Sequence, residues 1–387
     1  MSRRLHVHHL ITKLELGGAQ QNTLYCVGHH DRSRFRVSLG AGPGGVLDPD
    51  ARRLRGVEVR WFRRLHREVR PAADLAFILE YAAWLKSARV DILHTHSSKA
   101  GILGRMAAAV ARTPVVIHTV HGWGFHDFQP RAVQRVYIAL ERFAARRTDL
   151  LFAVSRENRD RGLAEGIGSA SQYRVVRSGI ALAEFAHPRR KPSAVRRSLG
   201  LSAAARVVGT VGNFKAQKAP LDFIRAAARI ARAVPAARFV MVGDGEQRPA
   251  AERLAAASGL TGKIVFTGWR RDVPDLLHAF DVFALSSLFE GLPRSVLQAA
   301  AAGRPVVATD ANGTPEAIEE GRTGYVVPRS DPAALAARVI PLLRRPALAR
   351  AMGRAARAYV GEEFEIRRML AQIEAEYAAL AGMKGLA

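Results

Sequence analysis

Short apolar runs rich in β-branched residues punctuate this chain, and Ala-rich stretches of helical period fill the intervals. The runs are Leu5–Leu14, Val57–Trp61, Asp91–Thr95, Val115–Val120 and Leu150–Val154, then Val207–Val211, Arg238–Val242, Lys263–Thr267, Val282–Leu285 and Val306–Thr309. Between two of them, Ala73–Lys86 sets Leu75, Ile78, Leu79, Ala82 and Leu85 on one helical stripe. Strand-like and helix-like segments in alternation predict the α/β class: parallel sheets with helices on both faces.

The pattern restarts in mid-chain. After Ser178 come His187-Pro188, two arginines, Lys191-Pro192 and an Ala-rich stretch, and then a fresh apolar strand that ends in Gly212. The chain of 387 residues is too long for one ordinary core. The reading is therefore two Rossmann-like halves, residues 1–183 and 204–362, joined by a linker at 184–203. Residues 363–387 hold an amphipathic helix, Phe364–Leu380, expected to pack back toward the first half.

Composition narrows the classes. Cys26 is the one cysteine, which excludes an internal disulfide or a Cys-rich zinc site and fits a reduced, cytoplasmic setting. Histidines interrupt the start of the chain, so no secretory apolar segment is read there, and no uncharged run reaches the roughly 20 residues a spanning helix needs. Fifty-nine Lys and Arg against 34 Asp and Glu give a formal charge of +25. Such a field attracts polyanions. No zinc-finger, RNA-recognition or basic-zipper pattern accompanies it, so nucleic acid is not expected as a partner.

Chemistry concentrates where predicted strands end. The segment Phe289–Asp310 reads FEGLPRSVLQAAAAGRPVVATD. A strand leads into a Glu290-Gly291 turn, Pro293 suits the first turn of a helix, and Gly303 suits its C′ position. The amides of Gly291, Leu292, Pro293's neighbour Arg294 and the next residue then face the C-terminal edge of the sheet, where open α/β sheets bind ligands and helix N-termini bind phosphate. Glu290 and Gln298, eight apart, can reach one ligand. Gly17-Gly18 follows the first strand and opens a helix; paired glycines let backbone approach a phosphate, and equally make a plain turn. Lys215 and Lys218 lie in the loop after Val207–Val211, and compact ammonium charges suit a diphosphate. Gly243 and Trp269 sit in two further strand-end loops. In Ile117–Phe125, His121 ends a strand beside glycines, while His118 lies within the strand as a core residue. His94, His96 and Lys99 occupy a similar strand end. His6, His8 and His9 lie along the first strand with no acidic or cysteine neighbour, so no metal is expected. Asp48-Pro49-Asp50 spells a metal-binding Asp-x-Asp, a three-residue pattern that arises by chance.

The Phe289–Asp310 segment resembles the signature of glycosyltransferase family 4: a Glu, seven residues, a second acidic position, then Ala-Ala-Gly-x-Pro-Val-Val-Ala-Thr-Asp. The resemblance covers nearly the whole chain and implies the GT-B fold, two Rossmann-like domains facing across a cleft with the C-terminal helix crossing back. It implies that Glu290 and the Gly291–Arg294 backbone hold the transferred sugar and that the second acidic position, here Gln298, holds the nucleotide ribose. A neutral amide still pairs with a diol, with weaker binding. It implies that Gly17 and Gly18 face the donor diphosphate, that Lys218 matches the family lysine, and that Lys215 substitutes for an arginine replaced by Asn213. His121 falls near the transferred sugar, and His94, His96 and Lys99 on the acceptor side. The base lies near Trp269, which either stacks on it or packs internally.

The function so implied is retaining transfer from a UDP- or GDP-type sugar to a glycan or polyprenyl-linked acceptor in envelope or exopolysaccharide synthesis, with no cofactor and no obligatory metal. A nucleotide-sugar epimerase on the same fold and a non-catalytic sugar-nucleotide-binding subunit are the alternatives. Eight arginines between Arg52 and Arg70, and Arg131, Arg135, Arg142 and Arg146 at helix-face intervals, suggest a first domain resting peripherally on an anionic inner membrane. Phe77, Tyr81 and Trp84, also at helical spacing, read as core.

Overall fold

A computed structural model describes residues 3–386. Met1 and Ser2 of the chain start, and Ala387 after the closing helix, lie outside the described residues. The chain forms two compact units, Met1–Ser178 with Arg367–Ala387, and Gly179–Ile366.

The first unit carries β1 (Leu5–Lys13), β2 (Phe35–Gly42), β3 (Val57–Trp61), β4 (Ile92–His96), β5 (Val115–Val120), β6 (Leu150–Ala153) and β7 (Tyr173–Val175). They form one parallel sheet in the order β3-β2-β1-β4-β5-β6-β7. Every residue of β4 and β5 is buried, as expected for central parallel strands covered on both faces. Strand order reverses between β1 and β4, which makes that seam the topological switch point.

The second unit carries β8 (Arg206–Val211), β9 (Ala237–Val242), β10 (Ile264–Phe266), β11 (Val282–Leu285), β12 (Val306–Thr309) and β13 (Gly324–Val327). Its parallel sheet runs β10-β9-β8-β11-β12-β13, with the switch point between β8 and β11. An apolar core of Phe223, Ile230, Phe239, Val282, Val339 and their neighbours fills one face.

Three expectations need correction. Residues 184–203 are not a linker. They fold into the second unit, where the Arg189 and Arg190 amides donate to the Asp275 carboxylate and Val195 is fully buried. The helix Pro71–Ser87 buries only part of the predicted stripe: Ala82 and Leu85 join the core and Ile78 packs against it, but Leu75 and Leu79 do not. Leu75 and Leu79 are 60% and 58% exposed, while Phe77, Tyr81 and Trp84 face inward against Phe62. The aromatic side removes more apolar area from water and wins the core. The periodic runs also missed β2, β7 and β13. β2 carries two glycines and a serine, and β7 and β13 are only three and four residues long.

Asp48 is likewise structural. It starts a five-residue helix, and its buried carboxylate accepts from the Gly44 N–H. The arginines around it are partly engaged: Arg60 lies over the Phe62 and Trp84 rings, and Arg64 pairs with Glu80.

Candidate active site

In the second unit the loops after β8 and β11 are laced together across the switch point. Leu288 N–H donates to Gln217 O, and the Gln217 amide donates to Phe289 O, both at 2.8 Å. Ser286 Oγ reaches Lys218 O and Ala219 O. These contacts set Lys218 Nζ 2.5 Å from Glu290 Oε1. The Glu290 side chain is 7% exposed and the Lys218 side chain 20%, so the pair is shielded without being sealed. Two polar atoms at this edge, Asn213 Oδ1 and Ser287 Oγ, are buried and lack a partner among the described residues. Unpaired buried polar atoms are rare, and they are expected where a polar ligand completes the site.

The neighbouring loops close on the same edge. Gly243 has φ +132°, and a Cβ there would lie 1.9 Å from Gly212 O, so only glycine lets the loops after β8 and β9 touch. Gly243 N–H donates to Gly268 O, which ties in the loop that carries Trp269, 41% exposed. Lys215 starts the short 3-10 turn that ends in Lys218. The helix Arg294–Ala301 begins after Pro293 with no side-chain cap, and Gly303 sits at its C′ end with φ +70°. Gly291, Leu292 and Pro293 are buried, and Gln298 is half-buried. Arg294 Nε donates to Gly179 O, a structural tie for its side chain.

The first unit builds its switch point differently. Gly17 precedes the helix Gly18–His29 after β1. Ser97, after β4, takes φ +62°, a strained value for a non-glycine, and its Oγ bonds Thr12 at the end of β1. His121 follows β5, with Nε2 3.1 Å from His96 Nδ1.

His94 and His96, expected on the acceptor side, are both interior side chains, and His96 reaches a hollow beside His121. Both are buried, 0% and 3% exposed. His94 Nδ1 meets the Tyr377 hydroxyl at 2.5 Å and Nε2 meets Thr119 Oγ1 at 2.6 Å. His96 bonds His9 and His121. Strand β4 is covered on both faces, which buries both rings. Lys99 is paired with Asp74 at 2.7 Å and donates to Glu68 O. His118 is a core residue on Thr95 Oγ1.

Sequence reasoning missed His9, His30, Glu374 and Tyr377. The nitrogens of His9, His94 and His96 lie within 4.8 Å of one another. Spacing along the chain could not reveal this, because the sheet brings β1 and β4 together. Burial holds all three imidazoles well below their ordinary pKa, and repulsion from neighbouring histidines adds to it.

Two parallel sheets of this order, with loops gathered at the strand C-termini, are those of the GT-B fold. Residues 17–179 match the family described as Glycosyl transferase 4-like domain, and residues 205–345 match Glycosyl transferases group 1. The chain belongs to this family of glycosyltransferases, and is thus a transferase rather than an epimerase or a bare binding subunit. It is 35% identical over 270 residues to the UDP-Gal:alpha-D-GlcNAc-diphosphoundecaprenol alpha-1,3-galactosyltransferase of Escherichia coli, covering 69% of this chain and 70% of that one. It is 27% identical over 314 residues to the N-acetyl-alpha-D-glucosaminyl L-malate synthase of Bacillus anthracis, covering 79% of each. Among solved structures, Anabaena HepE in complex with UDP-glucose shares the fold at a TM-score of 0.85 and 22% identity, over 97% of this chain and 100% of that one.

Proposed function

We propose that this glycosyltransferase moves a hexosyl group from a UDP-sugar, with retention, to a polyprenyl-diphosphate-linked acceptor, and needs no metal to do so. The observation that carries the reading is the Lys218–Glu290 pair at the β8/β11 switch point. In this reading Lys218 meets the donor diphosphate and stabilises the charge that grows on it as the glycosidic bond breaks, the largest expected catalytic term. Lys215 and the helix N-terminus behind Gly291–Arg294 assist. Glu290 accepts from sugar hydroxyls. Gln298 pairs with the ribose, Trp269 stands by the base, Gly17 and Gly18 approach the diphosphate, and His121 stands beside the transferred sugar. The leaving phosphate oxygen takes the acceptor proton, so no separate side-chain base is required.

The choice of UDP rests on the E. coli relative, which acts on UDP-Gal, and on HepE, which binds UDP-glucose. The choice of acceptor rests on the same relative's diphosphoundecaprenol substrate. GDP-sugars remain the competing donor class. Among the described residues, no helix is long and apolar enough to cross a membrane. A lipid-linked acceptor is then reached from the bilayer surface. Exposed Leu75, Leu79, Val136 and Phe143 stand on helices flanked by arginines of the first unit, a composition that suits an anionic bilayer.

The test is incubation with UDP- and GDP-sugars, a polyprenyl-diphosphate N-acetylhexosamine and a chelator. Sugar transfer from one UDP-sugar with the anomeric configuration kept supports the reading. Transfer from GDP-sugars alone, inversion, or abolition by the chelator overturns it.

A further inference from the structure

Five buried or half-buried groups of the first unit stand in single file. His121 Nε2 lies 3.1 Å from His96 Nδ1, and His96 Nε2 lies 3.0 Å from His9 Nδ1. His9 Nε2 lies 3.0 Å from His30 Nε2, and His30 Nδ1 lies 2.9 Å from Glu374 Oε1. Glu374 comes from the helix Ile366–Met383, 344 positions from His30 in sequence. Each ring uses both nitrogens or passes its bond onward, so each choice of proton position fixes the next.

We propose that Glu374 is a positioning residue which, through His30, His9 and His96, holds His121 as the Nε2–H tautomer. The direction follows from hydrogen-bond polarity alone. Glu374 Oε1 also accepts the Asp31 N–H at 2.9 Å, so it is an acceptor, and His30 Nδ1 must donate to it. A neutral His30 then has a lone pair at Nε2, and His9 Nε2 must donate. His9 Nδ1 is left to accept from His96 Nε2–H. His96 Nδ1 in turn accepts from His121 Nε2–H, and the lone pair of His121 sits on Nδ1. The rings must be neutral for this order to hold. Burial lowers the pKa of His9, His30 and His96 and keeps them so. For Glu374, burial alone would raise the carboxyl, but the bonds from His30 and Asp31 outweigh it and hold it below the ordinary range.

The outer end of the file opens on a small hollow lined by His121, His96, Thr119 and Asn22 together with apolar Phe152 and Ile373. Asn22 is 2% exposed, and neither its amide oxygen nor its nitrogen finds a partner among the described residues. A polar group belongs there, beside the ring whose tautomer is set. A metal fits these nitrogens less well. Both nitrogens of His9 meet imidazoles and both of His94 meet hydroxyls, at hydrogen-bond distances.

The catalytic consequence rests on the proposed transferase reading; the tautomer itself does not. Long-range proton–nitrogen NMR of the full chain labelled with ¹⁵N-histidine reads protonation at each ring nitrogen whether or not any donor is turned over. At neutral pH, His121, His96 and His9 should appear as Nε2–H and His30 as Nδ1–H. In Glu374→Ala, His121 should shift to a mixture of tautomers, and kcat should fall on the order of tenfold with a smaller change in donor KM. Glu374→Gln should restore both, because the Asp31 N–H still selects an oxygen at that position. His121 as Nδ1–H in the unaltered protein, a His121 tautomer indifferent to Glu374→Ala, or stoichiometric zinc bound by His9, His94 and His96 would each overturn the proposal. Absence of turnover with the predicted tautomers intact would instead count against the transferase reading alone.

Discussion

The two switch points of this molecule solve one problem with opposite chemistry. At the β8/β11 seam, backbone bonds lace two loops and leave a charged pair, Lys218 and Glu290, near solvent. At the β1/β4 seam, Ser97 and Thr12 tie the strand ends, and the polar content beneath is neutral, aromatic and sealed: His9, His94 and His96. A sealed polar cluster is tolerable only if each group is bonded and uncharged. The second seam is thus suited to grip a charged ligand, and the first to fix geometry.

The largest expected difference between them is in acid. His8, His9, His94, His96 and His118 all have pKa values held well below 6.5, first by burial. A base whose folded pKa is lowered takes up a proton on unfolding, so its stabilising effect is full above about 6.5 and is lost as pH falls below that. Of the described histidines in the second unit, only His278 is shifted down. Urea titrations between pH 7 and 5 should show the midpoint of the first unit falling while that of the second holds. Trp61, Trp84 and Trp123 report on the first unit and Trp269 on the second, so Trp269→Phe isolates the signal. Parallel loss in both units would erase the contrast.

The next effect is catalytic and belongs to the second seam. Lys218→Ala and Glu290→Ala should each lower turnover by about 10²–10³-fold with an unchanged far-UV spectrum. Near-normal rates in both would move the site elsewhere. Smaller still, His94→Leu strands the Tyr377 and Thr119 hydroxyls and should cost the first unit about 1–3 kcal/mol by denaturant titration. The same change at a ligand-gripping position would instead raise KM with little cost in stability. Last, Leu75→Ser with Leu79→Ser should move stability by less than about 0.5 kcal/mol, since both side chains face solvent. Binding to anionic liposomes should weaken severalfold. Unchanged binding would separate the arginines from the leucines as the membrane contact.

The asymmetry also explains what could be read from sequence. The second seam was legible because its chemistry lies in contiguous loops: Glu290, Pro293 and Gly303 announce a strand, turn and helix, and the pattern carries a family signature. The Gly303 C′ position came out as expected. The first seam was not legible, because its partners meet only through the sheet. His94 and His96 look like strand-end ligands until β1 brings His9 beside them and the last helix brings Tyr377. Pairing register and a contact spanning 283 positions leave no local mark. On the helix Pro71–Ser87, the sequence marked Phe77, Tyr81 and Trp84 as core, as observed, but periodicity could not say that Leu75 and Leu79 would be left to solvent.

The first unit takes in Arg367–Ala387, and Glu374 and Tyr377 seal its interior. That has a consequence in time. On the ribosome its seven strands emerge first, yet the segment that covers His30 and His94 comes only after the entire second unit. At about 5–20 residues per second, that wait is on the order of 10–40 s. For that interval the nascent first domain presents an uncovered patch of imidazole and aromatic surface, a natural site for chaperone capture. A fragment that stops at Ser178 would keep that patch open permanently.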